Sequence, residues 1–475
     1  MARVESGRLG DAEVAFRKVV SLQPESAESW SNLGASLLES GRTNDGLDAL
    51  ERAGALDPDS CVVASNRLFY AVCSPARSPD ELLALHRDWG ERVGRRLGEC
   101  APNGPAPRSV ALRPLRVGYV SGDFREHPVA TFFAPVLEAH DRASFHVTCY
   151  VAAASRDETT QRLRRCADAW RDISVLSDAD AAALVRRDEI DILVDLSGHT
   201  ARGRLGIFVR KPAPIQLSYL GYPCTTGLRT IDYRITDALA DPPGQTERWH
   251  VERLLRPFAS FLCYRPPRGC PAVAAQPSTA SGHVTFGSFN HIRKLNGPTV
   301  RAWSRVLLAS PGSRIALKCS SLDDPACAAR IVDGFHAHGV AADRIEVLAF
   351  ERTAAGHLAS YARVDIALDT FPYNGTTTIC EALWMGVPVV SRAGDDHRSR
   401  VGLSILTNAG LADLVASSED EFVRIACGLA AAVERRAALR SDLRARLEGS
   451  PLTDAGGFTR ALERAYRAIV SRPVD

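Results

Sequence analysis

Val364 to Ser391 reads VDIALDTFPYNGTTTICEALWMGVPVVS. An apolar run ends at Asp369, a loop with Pro372, Asn374 and Gly375 follows, and three threonines open an amphipathic helix. A second apolar run starts at Val387. Strand, turn, helix, strand is the repeating unit of a parallel α/β sheet. Similar runs lie upstream at Val284–Phe289, Arg314–Lys318 and Ile345–Phe350. An earlier group comprises Leu115–Val120, Phe145–Val151, Ile190–Leu196 and Ile215–Leu220. A Pro-rich stretch from Arg265 to Pro277 divides the two groups. The pattern predicts an α/β protein with two Rossmann-like lobes facing across a cleft. The lobes are expected at 115–270 and 280–475, with the last helical stretch, Gly457 to Val470, packing back on the first lobe.

Ahead of the lobes the pattern is helical. Gly7-Arg8, followed by a helix ending at Pro24, recurs 34 residues later as Gly41-Arg42, ending at Pro58. Trp30, Leu33, Gly34 and Leu37-Leu38 stand where the first helix of a tetratricopeptide unit carries its packing residues. Residues 1–75 are therefore read as a short all-α segment of tetratricopeptide-like repeats. Fewer repeats are present than such an array needs to stand alone. They are expected to lean on the next segment, where Cys61–Val72 and Pro79–Leu97 read as helices. Residues 76–114 hold that longer helix and a Pro/Gly-rich linker, Ala101–Pro114.

Composition narrows the function. Of 475 residues, 45% are hydrophobic and 24% charged, the balance of a folded chain long enough for two or three domains. A net charge of +2 gives no electrostatic case for nucleic acid or a membrane surface as partner. No apolar run approaches the roughly 18 residues of a membrane span, and the start of the chain lacks the apolar stretch of a signal peptide. Twelve cysteines without CxxC spacing argue against a disulfide framework or a structural zinc site. The expected compartment is the cytoplasm.

Three segments carry the chemistry. In the first, backbone N–H groups at a helix start, the helix dipole and the hydroxyls of Thr376, Thr377 and Thr378 form an anion site fit for a diphosphate. Capping alone explains one threonine, not the set Asn374, Gly375, Thr376, Thr377 and Thr378. Glu381, one turn into the helix, is placed to accept hydrogen bonds from a ribose. In the second, TFGSFNHIRKL (285–295), a strand ends before His291, Arg293 and Lys294. Lys294 is one of only four lysines among 58 Lys and Arg residues. It is a candidate for neutralising charge on a departing nucleoside diphosphate, the work a metal does elsewhere. In the third, VGYVSGDFREHP (117–128), His127 stands before a proline after a strand, fit to accept a proton or orient an acceptor hydroxyl. Asp188, Asp195 and His199 are further candidates for a base, with capping or core hydrogen bonds as the alternative. Asp178 and Asp180 form a DxD string that precedes a helical run and reads as a cap, not a metal site.

With these segments, and with PAPIQLSYLGYPCTTGLRTIDYRITDALADPP at Pro212–Pro243, the chain resembles the O-GlcNAc transferase and SPINDLY family of protein O-glycosyltransferases from about Leu115 to the C-terminus. The resemblance implies two lobes of the GT-B type and an inverting transfer without metal or other cofactor. The acceptors would be Ser and Thr of proteins, and the donor a nucleotide-sugar. It matches His127 and Asp188 to residues proposed as base, Lys294 to a lysine at the diphosphate, and Thr377 and Thr378 to phosphate-binding threonines. It places His357 near the nucleobase and Glu381 at the ribose. His291 stands where relatives carry Gln or Asn beside the phosphates, and Thr376 where animal members carry His. The GTTT loop, Glu381 and GYPCTTGL look closer to the SPINDLY branch, whose plant members use GDP-fucose. UDP-GlcNAc is the expected donor, GDP-fucose the alternative. A repeat-bearing scaffold without activity is a third reading, opposed by the intact Lys294, Thr377, Thr378 and His127.

Overall fold

The computed structural model describes residues 9–58, 60–97 and 113–471. Gly7-Arg8 of the repeat and residues 101–112 of the expected linker lie outside the described residues. The described residues fall into two compact units, bounded as Met1–Arg77 with Pro266–Ser450 and as Ser78–Arg265 with Pro451–Asp475.

The second of these holds the N-terminal sheet. Its strands are β1 (Leu115–Ser121), β2 (Phe145–Val151), β3 (Ala169–Asp172), β4 (Ile192–Asp195), β5 (Ile215–Ser218), β6 (Tyr233–Ile235) and β7 (Arg253–Leu255). They lie in the order β3-β2-β1-β4-β5-β6-β7, every pairing parallel. β4 and β5 are buried throughout, as a sheet covered on both faces requires. β3, β6 and β7 escape the sequence reading because each is three or four residues long and polar on part of its length. The helix Ala455–Val470 packs in this unit. Its Tyr466 hydroxyl meets that of Tyr119 on β1, and Glu463 accepts from His140 Nδ1 and the Asp141 amide, both at 2.9 Å. The helix Pro79–Leu97 also belongs here, its buried His86 bonded to the Tyr222 hydroxyl at 2.7 Å.

The C-terminal sheet comprises β8 (Thr285–Ser288), β9 (Arg314–Leu317), β10 (Ile345–Val347), β11 (Ile366–Leu368), β12 (Val389–Arg392) and β13 (Val415–Ala416). Its order is β10-β9-β8-β11-β12-β13, again parallel. The strand order therefore reverses between β8 and β11 here, and between β1 and β4 in the other sheet. In open α/β sheets ligands bind at the carboxyl ends of the strands flanking such a switch point.

Four helices precede: α1 (Leu9–Leu22), α2 (Ala27–Glu39), α3 (Thr43–Leu56) and α4 (Cys61–Ala71). Val20, Leu33, Leu37 and Ala49 form one core, flanked by Phe16 and Trp30; Leu38, Leu50 and Tyr70 form another. α2 and α3 approach closely at two glycines. A Cβ on Gly34 would stand 2.9 Å from the Gly46 carbonyl oxygen, and one on Gly46 2.9 Å from that of Gly34. The expectation that the repeats lean on the next segment holds for Cys61–Val72, where Tyr70 packs on Leu38 and Leu50. It is corrected for Pro79–Leu97: the four helices join the C-terminal sheet, and Pro79–Leu97 joins the other unit. The reason is a buried arginine. Arg398 donates to the carbonyls of Val72, Ser74 and Arg77, the C-terminal ends that α4 and its following turn leave open.

Candidate nucleotide-sugar site

The switch point of the C-terminal sheet gathers most of the predicted residues. Asp369 follows β11 and is fully buried. Its Oδ1 accepts the amides of Thr370 at 2.9 Å and Gly375 at 2.7 Å, and its Oδ2 accepts the Ser391 hydroxyl at 2.6 Å. This folds the loop 370–376 back over the strand end. Gly375 is required by close approach: a Cβ there would stand 2.5 Å from Thr378 Oγ1, 3.0 Å from Asp369 Oδ1 and 3.1 Å from Asn290 Oδ1. The helix Thr377–Trp384 then starts at the mouth of the switch point. Thr376, at its N-cap, makes no side-chain capping bond, which removes ordinary capping as the reason for that hydroxyl. Thr378 Oγ1 donates to Asn290 Oδ1, just past β8, at 3.1 Å. The amides of the first turn have no intrahelical acceptor, and the dipole adds positive potential.

Lys294 meets this loop. It ends a single 3₁₀ turn, Ile292–Lys294. Its Nζ donates to the Asn374 carbonyl at 2.7 Å and lies 3.8 Å from the centre of the Tyr373 ring. Burial pushes its pKa down to about 8, opposed by the carboxylate of Asp369. Burial in turn raises Asp369. Negative charge brought beside it would favour the ammonium form.

Two predicted ligands have other work. Asn374 is wholly buried, its Nδ2 donating to the Thr370 carbonyl at 2.9 Å and its Oδ1 accepting the Gly402 amide at 3.1 Å. It staples the loop and turns its side chain away from any ligand. His291 likewise has both ring nitrogens engaged. Nε2 lies 3.0 Å from Glu39 Oε2, and Nδ1 accepts the Arg293 amide. These contacts make it a support of the loop.

On the other side of the switch point lies an aromatic corner. His357 Nε2 and Glu381 Oε2 are 3.0 Å apart, so the two residues predicted for nucleobase and ribose are brought together. Phe289 packs on Tyr361 with ring centres 4.5 Å apart. Beneath them is a residue the sequence reading noted only as a rare lysine. Lys318, at the end of β9, is buried, donates to Ser360 Oγ at 2.9 Å and the His357 carbonyl at 3.1 Å, and lies 4.5 Å from the Phe289 ring centre. Burial pushes it down to about 8, with Glu381 opposing. Asp369 and Arg398 were also missed as site-builders, since each acts through contacts that no local motif records.

In the N-terminal sheet the switch point carries His127. It caps the helix Pro128–Ala139, and its Nδ1 accepts the Val129 amide at 3.3 Å. That bond assigns the proton of the neutral ring to Nε2, so the other nitrogen is a donor. Asp123, buried, has Oδ2 3.7 Å from Nδ1. At the end of β4, Asp195 accepts the amides of Ser197 and Gly198, and burial raises it to about 6. His199 is buried against Trp89 and donates to the Thr226 carbonyl. Both hold the turn together. Asp188 is a correction. It lies before β4, at the amino edge of the sheet, where its carboxylate accepts the Tyr150 hydroxyl at 2.8 Å and pairs with Arg171. A base must reach the carboxyl edge, where His127 is, so Asp188 is structural. Asp178 pairs with Arg204, and Asp180 bonds the N-cap Ser177. Among the described residues no group of three His, Cys, Asp or Glu is arranged to hold a metal.

The chain is similar to known proteins. The chain is 41% identical over 433 residues to the rice (Oryza sativa subsp. japonica) probable UDP-N-acetylglucosamine–peptide N-acetylglucosaminyltransferase SPINDLY, covering 90% of this chain and 46% of that protein. It is 31% identical over 373 residues to the Arabidopsis thaliana probable UDP-N-acetylglucosamine–peptide N-acetylglucosaminyltransferase SEC, covering 76% of this chain and 38% of that one. The chain thus spans less than half the length of these plant relatives. A solved structure, a mutant of the Thermobaculum terrenum O-GlcNAc transferase, matches at a TM-score of 0.92 and 39% identity, covering 98% of this chain and 88% of that one. The family model for glycosyl transferase family 41 matches residues 105–261 and 273–462, which take in both sheets and both switch points. The chain belongs to glycosyl transferase family 41.

Proposed function

We propose that this chain is an inverting, metal-independent protein O-glycosyltransferase that moves GlcNAc from UDP-GlcNAc to Ser or Thr of other proteins. The observation that carries the reading is the meeting of Lys294, Gly375 and the Thr376–Thr378 helix start at one switch point. In this scheme the diphosphate rests on the helix start and the Lys294 ammonium stands against it. The acceptor hydroxyl oxygen attacks the anomeric carbon from the face opposite the diphosphate. The new C–O bond forms as the bond to phosphate breaks, the nucleoside diphosphate leaves with the electron pair, and the hydroxyl proton is released. Lys294 stabilises the charge on the leaving oxygen, the preorganised electrostatic role that supplies the largest share of many rate enhancements. His127, with its proton on Nε2, orients an oxygen by donating to it. Protein acceptors are supported by the names of the relatives, which give a peptide as acceptor; a cytoplasmic location is part of the same proposal.

GDP-fucose is the second reading for the donor. It is favoured by the Gly375–Thr378 loop and Glu381, which resemble the SPINDLY branch. The test is release of UDP or GDP from each donor by purified protein with a lysate as acceptor, with and without EDTA. Turnover of UDP-GlcNAc in EDTA is expected. Turnover of GDP-fucose alone replaces the donor and keeps the site. Activity abolished by EDTA and restored by a divalent cation overturns the metal-independent scheme.

A further inference from the structure

The helical segment meets the candidate donor site around the carboxylate of Glu39. Glu39 ends α2, and its side chain is 19% exposed. Oε1 accepts the Tyr70 hydroxyl at 3.0 Å and Arg293 Nη1 at 3.0 Å, and Oε2 faces His291 Nε2 at 3.0 Å. The next turn supports the same spot. Gly41 has φ of +80°, and a Cβ there would stand 3.1 Å from Ile292 Cδ1. Arg330 donates to the Ser40 carbonyl at 2.7 Å. The guanidinium of Arg293 also lies 5.1 Å from the Phe69 ring centre on α4. Burial alone would raise the carboxyl of Glu39, but His291 and Arg293 beside it hold it well below the usual range, so it stays ionised.

What Glu39 grips is a single turn. Lys294 N bonds the His291 carbonyl at 2.9 Å, and in a 3₁₀ turn residues three apart lie one above the other. Fixing His291 and Arg293 therefore fixes the direction in which the Lys294 stem leaves the backbone. We infer that Glu39 is a positioning residue for the nucleoside diphosphate, holding the His291–Lys294 turn so that the Lys294 ammonium meets the phosphates. The helical segment is then a wall of the donor site as well as a repeat array. The inference rests on the donor-site reading above.

The test compares diphosphate with monophosphate binding, using UDP with UMP and GDP with GMP, on the full chain by calorimetry. Wild type is expected to prefer the diphosphate of one pair. Glu39→Gln should cut that preference about tenfold, the scale of one charge-assisted hydrogen bond, with monophosphate affinity unchanged. In a Lys294→Met background the same substitution should change little, because the two act through one interaction. A folded Glu39→Gln protein with unchanged preference overturns the inference, as does an equal loss for both nucleotides. If Glu39→Gln fails to melt cooperatively, Tyr70→Phe is read by the same ratio; a drop of about threefold supports the inference and no drop overturns it. Wild type that binds neither pair removes the donor-site reading, and this inference with it.

Discussion

Two switch points of like topology, one in each sheet, carry unlike chemistry. At β8 and β11 a lysine, a glycine loop and a row of threonines surround a helix start. At β1 and β4 the corresponding ends carry an imidazole backed by a carboxylate, and a turn tied by Asp195. Topology supplies a crevice in both cases, and the loop residues decide what it can hold. The first gathers an ammonium and N–H and O–H donors. The second offers an imidazole.

The comparison breaks most readily at Lys294. Lys294→Met should lower kcat by about 10²–10³, the effect of removing one preorganised charge interaction, while the melting temperature holds. Steady-state rates with near-wild-type kcat would end the assignment. Gly375→Ala forces a methyl into 2.5 Å of Thr378 Oγ1, and displacing the loop by an ångström should weaken diphosphate binding by about 10², measured by titration. His127→Ala should lower kcat by about 10² with donor affinity unchanged, and His127→Gln, which keeps a donor, should recover part of it. Equal losses in the two variants would return the imidazole to the role of base.

Smaller effects sharpen the contrast. Lys294 in the free protein is pushed down to about 8, and the diphosphate binds the charged form. Affinity should therefore hold below pH 8 and fall as pH rises above it, by about tenfold per unit, with proton uptake on binding. Buffers of different ionisation enthalpy read that uptake, which Lys294→Met should abolish. The smallest change is expected at Asp188. Asp188→Asn should leave kcat unchanged and cost about 1 kcal/mol in denaturant unfolding, since the largely buried carboxylate serves Arg171 and the Tyr150 hydroxyl, which an amide oxygen can still accept.

Much of the fold was legible because its strands are apolar and its turns are marked by Gly, Pro and Asn. All nine apolar runs form strands, while the short, partly polar β3, β6 and β7 and the two-residue β13 do not stand out from loops. The site was legible where one local segment builds it. Thr376, Thr377 and Thr378 share a helix start with Gly375, and spacing alone puts them there. It was not legible where a side chain's role depends on a distant partner. His291 and Asn374 sit in the right loops, yet their polar atoms are consumed by Glu39 and by Thr370 and Gly402. Asp188 lies in a stretch that resembles a catalytic one, and only the direction of β4 shows that it sits at the wrong edge.

By itself, then, the sequence determined the parallel α/β units, the threonine-lined helix start and the rare lysine, since each is a matter of residues near in the chain. The tertiary structure decided which sheet the helical segment joins and which carboxylate steadies the lysine turn. Glu39 and Arg293 are 254 positions apart, and no periodicity reaches that far. Burial then makes such a pairing matter: a charge taken from water must find its partner, and only the folded chain says where that partner is.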